Sequence, residues 1–313
     1  MSDPIPMPGP GPTAVPVAKA PYADSLRGII WALISVVGAS LMSLAVRGVA
    51  LEVDSRMVVM ARAGITSIIL LLAIIPFTGL RRQLRFSRPW THLLRGLLIG
   101  VSTNMGFYTL VHIPLATATV LFFTAPIFAT VLGALLHGER VGPRRIIASA
   151  AGFLGALVIL RPGLEAFHPA MLSALGSSAL FAVALTLSRG LANADGAFAT
   201  YFSSVLLTVA VTLPIALPVW DIPTGAWTWV AVAILVVTSA MRGVADIQAY
   251  RFADAAVLAP IAYLRLVFIG FGAWLIFDEN VDTATWIGAA IIISATFYIT
   301  RREAALNRKD NAK

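Results

Sequence analysis

Four arginines stand in or near apolar stretches of this 313-residue chain: Arg62, Arg95, Arg242 and Arg265. A guanidinium in hydrocarbon costs roughly 2.5–3.5 kcal/mol on insertion scales, so each must face a cavity, a partner or an interface. Arg265 follows Pro260 by five residues. It reads as a cavity cation attracting a polar or anionic part of a ligand. Equally, it reads as a structural cation bonded to carbonyls freed at the proline, which has no N–H. Arg62 reads as cavity-lining, or as an interhelical or snorkelling cation. Arg95 lies near a stretch end and reads as snorkelling. Arg242 and Asp246 stand at i and i+4 on one helix face, as a local ion pair or a gate. Asn104 and Tyr108 repeat that spacing, with Ser102 and Thr103 beside them. Such groups need partners in hydrocarbon, so this face is assigned to a cavity. Tyr263 joins Tyr108 as a candidate contact, because a buried tyrosine hydroxyl seeks a partner. The chemistry on offer is recognition of a small aromatic or polar solute.

Catalysis finds no matching inventory. Cysteine is absent, which excludes thiol nucleophiles, zinc–thiolate sites and Fe–S clusters. His92, His112, His137 and His168 are scattered near stretch ends, and no His-Glu-x-x-His run occurs. Ser177 and Ser178 have no histidine placed by the pattern. Gly138-Glu139-Arg140 lacks the Gly-Lys-Ser/Thr of a phosphate cradle. The expectation is no enzyme, no metal and no cofactor, with any transport driven by gradients.

The elements that must position these residues are membrane helices. Hydrophobic residues make up 58% of the chain and charged residues 12%. Soluble domains carry about 45–50% and about 25%. A span needs about 20 apolar residues. Ten stretches qualify, at about 28–46, 57–79, 91–112, 115–136, 144–161, 169–189, 198–218, 226–248, 254–277 and 283–300. Residues 1–25 form a Pro-rich tail expected to be disordered, with seven prolines before Ala23. Residues 304–313 form a charged tail. Ile113-Pro114 predicts a tight turn between the third and fourth stretches. Trp90, Trp220, Trp227, Trp229, Trp274 and Trp286 fall near stretch ends, where amphipathic rings prefer the interface.

The net charge of +8 is no nucleic-acid footprint, since the basic residues sit in connections. With the N-terminus inside, inner connections and the tail hold sixteen of them and outer ones only Arg47, Arg56 and Arg161. That asymmetry places both termini in the cytoplasm.

Residues 102–121 set over 239–258 match at six of twenty positions, among them Ser102/Ser239 and Gly106/Gly243. Glu139 and Glu279 follow in similar contexts. A five-span unit is odd, so its second copy enters from the opposite side, the inverted plan of secondary transporters. Pro126 and Pro260 read as hinges, since each removes a backbone bond within a helix.

The stretch from Leu110 to Gly163 resembles the EamA unit of the drug/metabolite transporter superfamily. The resemblance rests on Leu-Ala-x-Ala opening a span, Pro126, Gly138-Glu139-Arg140 and the closing Arg161-Pro162-Gly163. A second copy from Ala249 to Glu303 resembles it through Pro260, Tyr263 and Asp278-Glu279. The resemblance implies an all-α polytopic fold of ten helices in two inverted repeats, 26–163 and 164–303. It implies a carrier of small organic metabolites in the inner membrane, in a branch with riboflavin and S-adenosylmethionine carriers. Riboflavin uptake is the leading expectation. S-adenosylmethionine, amino-acid or drug transport, or a non-transporting receptor or assembly factor, are the alternatives. The expected partners are a small solute and the bilayer, with a homodimer as candidate assembly and no nucleic acid. Substrate contacts are expected from Arg265, Tyr263, Asn104, Tyr108 and Arg62.

Overall fold

The computed structural model describes residues 22–125, 127–128, 143–160, 167–252 and 255–310. Pro126, Glu139 and the Pro-rich stretch 1–21 lie outside the described residues. Within them the chain is helical, without a strand. The helices are α1 (Tyr22–Val49), α2 (Ser55–Ile74), a short α3 (Thr78–Gln83), α4 (Pro89–His112), α5 (Leu115–Phe122), α6 (Pro143–Leu160), α7 (Pro169–Ala216), α8 (Ala226–Phe252), α9 (Ala255–Phe277) and α10 (Thr283–Asp310).

Local chemistry sets several boundaries. The Asp54 carboxylate accepts the Arg56 N–H at 2.9 Å and caps α2. The Arg56 side chain also donates to it and holds this carboxyl below the usual carboxylate range. Pro89 opens α4, where its missing N–H costs nothing. Ile113 is extended, at φ −131° and ψ 161°, as the residue before a proline prefers, and the chain turns into α5. Inside α7, Gly196 adopts φ 86° and ψ 161° and breaks the run into two arms. Only glycine takes such a backbone without strain.

Among the described residues five segments are long and apolar enough to cross a membrane: Leu26–Val49, Ser55–Ile74, Pro169–Ala192, Ala194–Val219 and Ala226–Ala249. Shorter apolar helices lie at Ala150–Ile159, Ile261–Phe277 and Thr283–Ala295. The helices α4, α6, α9 and α10, expected as the third, fifth, ninth and tenth spans, are not among the five.

Packing follows the apolar pattern. α4 lies along α7, α1 crosses α8 and α9, and α6 pairs with α10. Val46, Val58, Leu110, Leu121, Leu235, Ile269 and Ile292 share one buried core. Large apolar residues such as Leu72, Val267 and Phe271 stand exposed on the outside, as on a lipid-facing bundle. Trp90 and Trp227 are 79% and 85% exposed at helix starts. Close approach depends on small residues. A Cβ on Gly288 would lie 2.8 Å from the Gly155 carbonyl, so α6 and α10 touch backbone to backbone. A Cβ on Gly270 would meet nothing within 4 Å.

Candidate functional site

The helices enclose a cavity of about 260 Å³ between α1, α2, α4, α5, both arms of α7, α8 and α9. Four wall residues are arginines, one from each of four helices: Arg62 (α2), Arg95 (α4), Arg242 (α8) and Arg265 (α9). Among the described residues Asp246 is the one carboxylate in the wall. Phe107, Phe122, Phe123, Phe181 and Tyr201 supply aromatic faces, and Ser102, Ser177, Ser188, Ser204 and Ser239 supply hydroxyls.

Each arginine is held differently. Arg265 Nη2 donates to Ser43 Oγ on α1 at 3.1 Å, and its guanidinium lies 5.9 Å from the Phe122 ring centre. The anchor is a hydroxyl of a neighbouring helix. Pro260 lies within α9, which continues through it. Arg62 lies over the Phe107 ring at 5.4 Å. Arg242 Nε lies 3.5 Å from Asp246 Oδ2, the i, i+4 pair read from the spacing. Asp246 also accepts Ser35 Oγ of α1, so the pair is tied across the helix boundary. Arg62 Nε, Arg265 Nε and the Tyr201 hydroxyl are buried without a hydrogen-bond partner. A buried donor left unpaired costs about 1–3 kcal/mol, so the cavity favours a ligand rich in acceptors.

Arg95 corrects the snorkelling expectation. It is 8% exposed and turned into the bundle, because α7 offers it partners that an interface would otherwise supply. Its Nε donates to Ser188 Oγ at 2.7 Å, and its Nη1 to the Thr200 carbonyl at 3.1 Å and to Ser204 Oγ.

Three other expected contacts lie off the cavity wall. Asn104 Nδ2 donates to Thr212 Oγ1 at 2.8 Å and to the Gly100 carbonyl at 2.9 Å, so it joins α4 to α7. Tyr108 is 36% exposed and its ring lies 4.0 Å from that of His112. Tyr263 meets the wall residue Phe123 edge to face at 5.2 Å, one shell behind the cavity. Tyr201 and the α7 hydroxyls escaped the sequence reading. Their signal is Thr200, Ser204, Thr208 and Thr212, a polar stripe every four residues on one helix face.

Both ends of the bundle are tied. At one end, Arg47 Nε donates to Glu279 Oε1 at 3.0 Å, and Glu279 Oε2 accepts the Leu115 N–H at 2.8 Å. Arg47 also donates to the Leu110 carbonyl at 3.1 Å, at the C-terminal end of α4. At the opposite end of α4, His92 bonds Asp195 and Ser203 of α7. The arrangement is a polar, cationic chamber in an apolar bundle.

Comparison with known proteins gives the family. Residues 26–161 match the EamA-like transporter family. The S-adenosylmethionine uptake transporter of Rickettsia felis is 31% identical over 92% of this chain and 97% of its own length. The chain belongs to the EamA-like transporter family. Another relative, the riboflavin transporter of Vibrio cholerae, is 29% identical over 78% of this chain and 82% of its own. A solved crystal structure superposes with a TM-score of 0.58 at 20% identity, covering 90% of this chain and 97% of its own, which shows the fold alone. As an EamA member the chain is a membrane transporter and not an enzyme.

Proposed function

We propose that this EamA transporter takes up riboflavin across the cytoplasmic membrane by alternating access. In this reading the chain crosses the bilayer ten times, and 26–163 and 164–303 are inverted five-helix halves. Two of the six pairs matched in the internal repeat, Ser102/Ser239 and Gly106/Gly243, stand in the cavity wall, as halves related about a shared cavity would place them. The sixteen-to-three bias of basic residues favours cytoplasmic termini.

The observation that carries the solute is the wall itself: among the described residues, four guanidiniums against one carboxylate, with orphaned donors on Arg62, Arg265 and Tyr201. Riboflavin offers carbonyl and hydroxyl acceptors on a flat ring and arm and brings no positive charge. Its ring suits Phe107 and Phe122, which already carry Arg62 and Arg265 on their faces. Tyr263 supports that wall through Phe123, while Asn104 and Tyr108 serve the helix that presents it. S-adenosylmethionine is the second reading, favoured by the coverage of the Rickettsia relative. Its carboxylate fits the arginines, but among the described wall residues its sulfonium meets only Asp246, which Ser35 and Arg242 already occupy.

Thermal-shift measurements on the purified protein separate the readings, since a ligand that binds only the folded state raises stability by mass action. Riboflavin is expected to raise the apparent Tm in a saturable way, and S-adenosylmethionine to do so less. Stabilisation by S-adenosylmethionine with none by riboflavin would reverse the assignment.

A further inference from the structure

The cavity wall is out of electrical balance. Among the described residues it sets Arg62, Arg95, Arg242 and Arg265 against Asp246, an excess of three positive charges. A guanidinium keeps its proton at neutral pH. Buried charge is tolerated when it is paired. Among the described wall residues the ion pair is Arg242 with Asp246. Arg95 bonds Ser188, Ser204 and the Thr200 carbonyl, neutral acceptors that satisfy its donors without cancelling its charge.

The other three guanidiniums converge. Arg242 Nη1 lies 3.9 Å from Met42 Sδ and Arg265 Nη2 lies 3.1 Å from Ser43 Oγ, so both meet α1 at consecutive residues. Arg265 lies over Phe122, and Arg62 lies over Phe107. Gly106 brings these two supports together, since a Cβ there would lie 3.7 Å from Phe122 Cζ. The Arg242 charge acts repulsively on both Arg62 and Arg265. Arg62 Nε and Arg265 Nε find no hydrogen-bond partner.

We propose that Arg62, Arg242 and Arg265 hold a small inorganic anion in the cavity, separately from the transported solute. Water in the chamber solvates the guanidiniums but brings no counter-charge. An anion cancels part of the excess and accepts N–H groups that the protein leaves free. Such charge-assisted bonds are roughly twice as strong as neutral ones. Each guanidinium carries five N–H donors, so the anion leaves others for a solute. Riboflavin brings no charge, so the anion stays when that solute enters.

The test needs no solute, so its outcome is separate from the riboflavin reading. Purified protein in detergent, in a low-salt buffer free of halide and phosphate, is titrated with sodium chloride and, separately, with sodium phosphate while its melting temperature is followed. The wild type is expected to gain about 2–4 °C in a saturable way with at least one of them, as a ligand at about tenfold its Kd gives. Arg62→Gln is expected to melt above the wild type before salt is added, because a cation without a counter-charge is gone. It is expected to lose the saturable gain, and Arg265→Gln to lose it too. Arg81→Gln removes a charge on α3, outside the cavity wall, and is expected to gain as the wild type does. Equilibrium dialysis of the wild type against the radiolabelled anion, which needs no variant to fold, is expected to show saturable binding over the same concentrations. No saturable binding of either anion to the wild type, or an equal gain in the wild type, Arg62→Gln and Arg265→Gln, overturns the proposal.

Discussion

Arg265 carries the sharpest test at the residue scale. Lysine in its place keeps the charge but loses the planar fork that reaches Ser43 and lies along Phe122. Uptake by Arg265→Lys is expected to fall about tenfold at unchanged expression, the loss of one charge-assisted bond of about 1.5 kcal/mol. Wild-type uptake in that variant would show that charge alone suffices. Asn104 should behave in the opposite way. Its bonds join α4 to α7 outside the cavity wall. Asn104→Leu is expected to lower thermal stability by about 1–2 kcal/mol while leaving the KM for solute unchanged. A raised KM with unchanged stability would return Asn104 to the binding site. The cost of charge in hydrocarbon made Arg62, Arg242 and Arg265 legible from sequence, because lipid offers them no partner. The same rule misplaced Arg95. Its partners Ser188, Thr200 and Ser204 lie about 100 positions away, and only the packing of α4 on α7 joins them. His92 and Asp195 were hidden for the same reason, since each taken alone looks like a residue at a span end.

Turns and caps were readable at the element scale because they are local. Ile113-Pro114 ends α4 where the proline rule places the stop. The break at Gly196 falls in the connection expected between the stretches 169–189 and 198–218, where a glycine can take the positive φ. The polar face of α4 was assigned to a cavity, and Ser102 and Thr103 do line it, whereas Asn104 bonds Thr212 of α7 and Tyr108 lies off the wall. The crossing of α6 and α10 is the element contact most sensitive to a single atom. A Cβ on Gly288 would lie 2.3 Å from Ile159 Cγ1 and 2.8 Å from the Gly155 carbonyl. Gly288→Ala is expected to lower stability in detergent by about 1–3 kcal/mol, as overpacking does. Trimming the neighbour in Ile159→Val is expected to restore only part of this, because the carbonyl remains. An unchanged melting temperature for Gly288→Ala would show that the two helices can move apart freely.

For the whole molecule, composition alone pointed to a membrane bundle, because no soluble core absorbs 58% hydrophobic residues with so few charges. Of the six pairs matched in the internal repeat, Ser102/Ser239 and Gly106/Gly243 stand in the cavity wall. Solute identity was not legible, since it depends on which side chains converge across seven helices. The ties at the two ends, Arg47 with Glu279 and His92 with Asp195, frame the chamber as a carrier would need. Alternating access requires that each tie open in turn, because a site closed at both ends exchanges nothing. Counterflow tests this most directly. Liposomes containing only this protein and preloaded with unlabelled riboflavin are given a trace of labelled riboflavin outside. The account predicts a saturable, transient overshoot of label inside, reduced in Arg265→Lys. Folded protein that gives no overshoot with riboflavin or with S-adenosylmethionine would contradict it.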